Sequence, residues 1–89
     1  MTTIARSVIA PKVIAIIRSK CPPATKNAPI NEDTLLSRDL GFSQTAREAL
    51  APRFTDLSGQ YGGTRVLAKE LSYRRVVSSC IDLVHGKLP

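Results

Sequence analysis

The sequence predicts an all-α fold: a small bundle of three longer helices and one short helix, with a long loop between helices one and two. Three observations carry that prediction. Apolar residues recur at helical spacing in the first, middle and last parts of the chain. No segment sustains the period-two alternation of a half-buried strand. The apolar residues, 43% of the chain, are nearly all aliphatic, with two Phe, two Tyr and no Trp. Eighty-nine residues are expected to form one domain, residues 1–89, around a modest core.

The first helix is expected from about Pro11 to Lys20, with Val13, Ile16 and Ile17 facing inward and Val8 and Ile9 a turn earlier. Pro11 is placed at the first helical position, where its missing N–H costs little, with a looser turn before it. The segment carries Arg6, Lys12 and Arg18 and no acid before Glu32, a mild likeness to an organelle-targeting helix. A core helix is the reading adopted. Cys21-Pro22-Pro23 ends it, because a residue before proline avoids the helical region. Pro22 to Glu32, with three prolines, Asn27 and Asn31, reads as a long loop. Leu35, Leu36 and Leu40 then pin the chain back onto the core.

Gly41 marks a bend, and Ser43 is a good N-cap for helix two. Thr45 and Glu48 also have capping-box spacing, which would start that helix two residues later. Ala46, Ala49, Leu50, Phe54 and Leu57 form its expected apolar stripe. Pro52 predicts a kink, or two short helices meeting near Ala51. Ser58 to Gly63 is expected to be a connection, and Thr64 to Leu71 a short helix with Val66 and Leu67 inward. In the last helix Tyr73, Val76, Val77, Cys80, Ile81 and Val84 form the stripe, with Ser72 as cap and Gly86 as terminator.

Composition narrows the function classes. Thirteen basic and seven acidic side chains give a net charge of +6, which permits an acidic partner such as nucleic acid or an anionic surface. The basic residues are scattered from Arg6 to Lys87, and only Arg74-Arg75 are adjacent. A solvated exterior is therefore favoured over a nucleic-acid footprint. Cys21 and Cys80 are far apart and His85 is the only histidine, so no metal site is expected. Cys80 lies on an apolar stripe as a small hydrophobe, and a reducing cytoplasm is the expected compartment. No apolar run approaches the roughly 20 residues of a membrane span. No base, nucleophile and orienting group can be assembled from one His and two separated Cys, so the chain is not read as an enzyme. Gly59-Gln60-Tyr61-Gly62-Gly63-Thr64 lacks the ending of a phosphate loop and reads as a flexible connection.

Two motifs in sequence order carry a more specific reading. They are Asp33-Thr34-Leu35-Leu36-Ser37-Arg38-Asp39-Leu40-Gly41 and Cys80-Ile81-Asp82-Leu83-Val84-His85-Gly86. The first resembles the loop entering the second helix of the acyl carrier protein family, and the second resembles the end of that family's last helix. The resemblance covers nearly the whole chain and implies a small acyl-carrier-like bundle. It also implies a serine at the start of helix two that holds 4′-phosphopantetheine through a phosphodiester. A phosphopantetheinyl transferase attaches that group in the family, and acyl-transferring enzymes of lipid or polyketide metabolism load it.

This chain departs from the pattern. After Asp39, Leu40 and Gly41, Ser43 stands at the family's aspartate position and Gln44 at its serine position. Ser43 is thus the candidate attachment residue only with a one-residue shift in register. Its structural alternative is an N-cap. Family carriers are usually acidic, whereas helix two here carries Arg47, Glu48 and Arg53, a poor match to basic partners. The alternative function is an unmodified bundle that has lost its attachment serine and binds an enzyme or nucleic acid.

Overall fold

The computed structural model describes residues 4–89. Among them are five α-helices: α1 (Arg6–Ser19), α2 (Gln44–Glu48), α3 (Ala51–Gln60), α4 (Ala68–Leu71) and α5 (Val77–His85). No strand is present among the described residues, so the fold is all-α. The long helices α1, α3 and α5 pack on one another, and α2 meets α4. A single cluster of buried side chains fills the centre, from Ile9, Val13 and Ile17 of α1 to Val77, Cys80, Ile81 and Val84 of α5.

Helix α1 begins five residues earlier than expected and runs straight through Pro11. One intrahelical hydrogen bond is forfeited there, at an exposed position. Two features offset the loss. Ile9, Val13 and Ile17, four residues apart, are fully buried on one face. Arg6 in the first turn holds Asp82 (Nε to Oδ1, 2.6 Å) and Glu32 (Nη1 to Oε1, 2.8 Å), joining α1 to the loop and to α5. Val8, by contrast, is exposed, and Ile16 only half-buried.

The long loop contains a 3-10 turn at Pro23–Thr25. Its far end is fixed by backbone pairing with the approach to α5. Leu36 N–H donates to Arg75 O (2.8 Å), and Val77 N–H to Thr34 O (3.0 Å), around an antiparallel bridge between Leu35 and Val76. This pairing corrects the expected last helix. Arg75 and Val76 are committed to pairing with the loop, so α5 starts at Val77 and Ser72 does not cap it. Tyr73 lies outside the helix and is 84% exposed, and Arg74-Arg75 precede α5 rather than riding on it.

Pro52 produces two short helices rather than a kink, because it occupies the first turn of α3 where its missing N–H costs nothing. Helix α3 continues to Gln60, past the expected connection at Ser58. It closes in a Schellman motif: Gly63 N–H donates to Ser58 O (2.9 Å) and Gly62 N–H to Gly59 O (3.1 Å), with Gly62 at φ +78°. Residues 64–67 are not helical, so α4 is shorter than predicted. Val66 is buried and Leu67 half-buried.

Glu70 anchors α4. Leu67 N–H donates to Glu70 Oε1 (3.0 Å), and Lys87 Nζ lies 2.9 Å from Oε2. Lys87 first, then the Leu67 N–H, holds the Glu70 carboxyl below the usual range. A depressed carboxylate stabilises the fold fully above its unfolded pKa, and that contribution disappears as pH falls through the folded value. Glu70→Gln should therefore cost about 1 kcal/mol near neutrality. Thermal melts of the variant and the parent should converge as pH drops below the ordinary glutamate range. A gap that persists unchanged in acid would show that the charge of Glu70 contributes nothing.

Candidate functional site

The segment from Leu35 to Gln44 is built by alternating anchors. Asp39 closes a single turn: its Oδ2 accepts from Leu35 N–H (2.8 Å), and its own N–H donates to Leu35 O (2.9 Å). Leu40 is fully buried, and its carbonyl accepts from Thr25 Oγ1 (2.8 Å), fastening the turn to the 3-10 segment. Gly41 sits at φ +78°, where a side chain would be strained, and donates to Ser37 O (3.0 Å). Phe42 returns to the core, its N–H on Leu36 O (2.9 Å). The Asp39-Leu40-Gly41 motif is thus a complete structural unit. The acid ties the turn, the leucine anchors it, and the glycine reverses the chain.

Ser43 follows in extended conformation and caps α2. Its Oγ accepts from Ala46 N–H (3.1 Å), and its carbonyl accepts from Arg47 N–H (2.9 Å). The start at Ser43 settles the choice of cap, and Thr45 lies inside the helix. Ser43 and Gln44 are both exposed. The Gln44 amide is engaged along the helix with Glu48 (Nε2 to Oε2, 3.1 Å). The Ser43 hydroxyl keeps its own proton free to face solvent, since the cap uses only a lone pair.

Helix α2 also holds a residue whose placement the sequence reading missed. Arg47, assigned to a charged partner face with Glu48 and Arg53, is buried at 7% exposure. Its Nη1 donates to Ser37 Oγ (2.7 Å) and its Nη2 to Ser72 O (3.5 Å), while its Nε–H has no partner among the described residues. Ser37 Oγ in turn donates to Phe42 O (3.0 Å), so the hydroxyl that orients Arg47 is itself fixed. The spacing signal was present. Arg47, Leu50, Ala51, Phe54, Leu57 and Ser58 are the buried residues, at i, i+3, i+4, i+7, i+10 and i+11. A count of apolar residues alone favours Ala46 and Ala49, yet Ala49 is exposed.

Two clefts flank this region. One, of about 300 Å³, is lined by Leu35, Ser37, Arg38, Arg47 and Arg75. The other, of about 680 Å³, has largely apolar walls, including Ala49, Ala51, Pro52, Val66 and Leu67. It lies between α3 and the non-helical segment before α4, beyond the C-terminal end of α2.

The remaining candidates are structural. Cys21 and Cys80 are free and buried, and burial pushes the Cys80 thiol up to about 12, which keeps it protonated and unreactive. His85 Nε2–H donates to Ile4 O (2.7 Å), tying the end of α5 to the chain before α1. Gly59 and Gly62 belong to α3 and its terminating turn, not to a phosphate loop. Among the described residues no cluster of three His, Cys, Asp or Glu could hold a metal, and no helix is long and apolar enough to cross a membrane. Comparison of the chain with protein-family models, with curated proteins and with solved structures gives no match.

Proposed function

We propose that this chain is an acyl-carrier-like protein that bears 4′-phosphopantetheine on Ser43. The observation that carries the reading is the placement of Ser43. Its exposed hydroxyl lies two residues past the hydrogen-bonded Asp39-Leu40-Gly41 turn and opens α2. Ser43 Oγ fits as the attachment atom, because its neighbours Phe42 and Arg47 are buried while it faces solvent. When bound, the group supplies a thiol that carries acyl chains as thioesters. The chain itself contributes an attachment point held at fixed orientation, and the apolar cleft near the far end of α2 offers a surface for an aliphatic chain. Catalysis belongs to partners: a phosphopantetheinyl transferase and acyl-transferring enzymes. Two buried thiols held as free cysteines suit a reducing cytoplasm.

The test is intact-mass spectrometry after incubation with coenzyme A and a broad-specificity phosphopantetheinyl transferase. The parent should gain the mass of one phosphopantetheinyl group. Ser43→Asn, which keeps a capping oxygen and loses the hydroxyl, should gain none. An equal gain in the variant assigns the modification elsewhere, and no gain in the parent removes the carrier reading.

One observation favours a second reading. Ser43 Oγ already accepts from Ala46 N–H, a sufficient structural role. On that reading the bundle is unmodified and binds an enzyme with an acidic docking face, or nucleic acid. Nucleic-acid binding would weaken steeply as salt rises, which an anisotropy titration detects.

A further inference from the structure

We propose that the cleft between the Leu35–Leu40 turn, α2 and the approach to α5 is a binding site for the phosphoryl group of a small phosphate monoester. Arg47 forms its inner wall and Arg38 and Arg75 its rim. This site is separate from Ser43, which does not line the cleft, and it stands whether or not Ser43 is modified.

The argument begins with Arg47. A guanidinium offers five N–H donors. Only two contacts are made here, to a serine hydroxyl and a backbone carbonyl, both neutral. Arg47 is buried, and among the described residues no carboxylate pairs with it. A buried charge is normally paired, because desolvation is otherwise uncompensated. Yet Arg47 opens on a cleft whose other charged walls are also arginines. Neither Arg38 nor Arg75 makes an ion pair among the described residues. Three like charges around one cleft repel one another. The acids adjacent in sequence, Asp39 beside Arg38 and Glu48 beside Arg47, are engaged with the Leu35 N–H and the Gln44 amide. The protein therefore supplies cationic walls and leaves the counter-charge to a ligand.

The shape and charge select the ligand. A phosphate monoester carries about −1.5 to −2 at neutral pH and presents three acceptor oxygens. Arginines approaching from three separate chain segments can each meet a different oxygen, the recognition for which the planar guanidinium is suited. A cleft of about 300 Å³ has room for a phosphoryl group together with the small organic group it esterifies. A carboxylate brings half the charge. A nucleic-acid backbone brings one charge per phosphate and needs a longer basic track.

Heteronuclear NMR titration of the intact chain with methyl phosphate and inorganic phosphate tests the site. Saturable shifts are expected for the amides of Leu35, Ser37, Arg38, Arg47 and Arg75 with both probes. Arg75→Gln and Arg38→Gln alter exposed residues and should leave the fold intact, each weakening binding about tenfold. Lys12→Gln, an equal loss of charge on the exposed face of α1, should weaken it far less. The proposal is overturned by the absence of saturable shifts, by equal weakening in Lys12→Gln, or by acetate binding as tightly as methyl phosphate. It is also overturned if a single-stranded oligonucleotide perturbs these amides while methyl phosphate does not.

Discussion

Phe54→Ala is expected to remove about 3–5 kcal/mol of stability, a large share of what holds the fold together. Phe54 is fully buried in α3 and, with Phe42, provides one of the two rings in a core otherwise made of aliphatic side chains and cysteine. Truncating a buried phenylalanine removes its transfer free energy and leaves a cavity that the neighbours fill only in part, a loss of about 3–5 kcal/mol. A chain of this size has a total stability of about 4–13 kcal/mol, so one substitution consumes a large share. Phe54→Leu keeps most of the volume and should cost roughly 1–1.5 kcal/mol. Urea denaturation followed by circular dichroism should show a large drop in midpoint for alanine and a small one for leucine, with unchanged slope. A loss below about 1 kcal/mol for Phe54→Ala would mean that α3 does not present this face to α1 and α5. The packing of the bundle would then have to be redrawn.

The same face of α3 shows which parts of the molecule could be read from the chain. Leu50, Phe54 and Leu57 were legible because apolar periodicity reports burial directly. So was the break at Pro52, because proline chemistry is local. So was the cap at Ser43, because its hydroxyl acts within three residues. Arg47 was not, because periodicity assigns charged residues outward, and only the Ser37 hydroxyl and Ser72 carbonyl make its burial tolerable. Tyr73 was misplaced for a related reason. Its spacing fits the α5 stripe, but Thr34 and Leu36 claim the backbone of residues 75–77 first, so the helix cannot extend back to it. Pro11 shows the reverse case, in which tertiary burial of Ile9, Val13 and Ile17 outweighs a local penalty. The candidate sites divide along the same line. The Asp39-to-Ser43 geometry is contiguous and could be anticipated. The arginine cleft joins three distant segments and exists only through the pairing of Leu35 with Val76.

Gly63→Ala should destabilise the fold more than Gly62→Ala, although only Gly62 has a left-handed backbone. At Gly62 an added Cβ meets nothing within 4 Å, so the cost is that of placing an L-residue at φ +78°, about 1–2 kcal/mol. At Gly63 the added Cβ would overlap the Ser58 hydroxyl and lie 2.8 Å from Lys87 O and 2.9 Å from Leu88 Cδ2. The Leu88 methyl ends a side chain that can rotate aside, but the other two atoms cannot yield freely. Ser58 is fully buried, with its Oγ donating to Thr64 O (2.8 Å). Lys87 O accepts from Thr64 N–H (3.0 Å) and so fixes the C-terminal residues against the end of α3. The substitution must break at least one of these bonds or push the C-terminal segment away, a cost of about 2–4 kcal/mol. Combining Gly63→Ala with Ser58→Ala removes the hydroxyl overlap but leaves Lys87 O in place, so the rescue should be partial. Thermal melts of the two single variants and the double variant decide the matter. If Gly63→Ala melts with or above Gly62→Ala, the close approach of α3 to residues 87–88 is not a feature of the folded protein. Full recovery in the double variant would assign the whole penalty to Ser58 and none to the C-terminal segment.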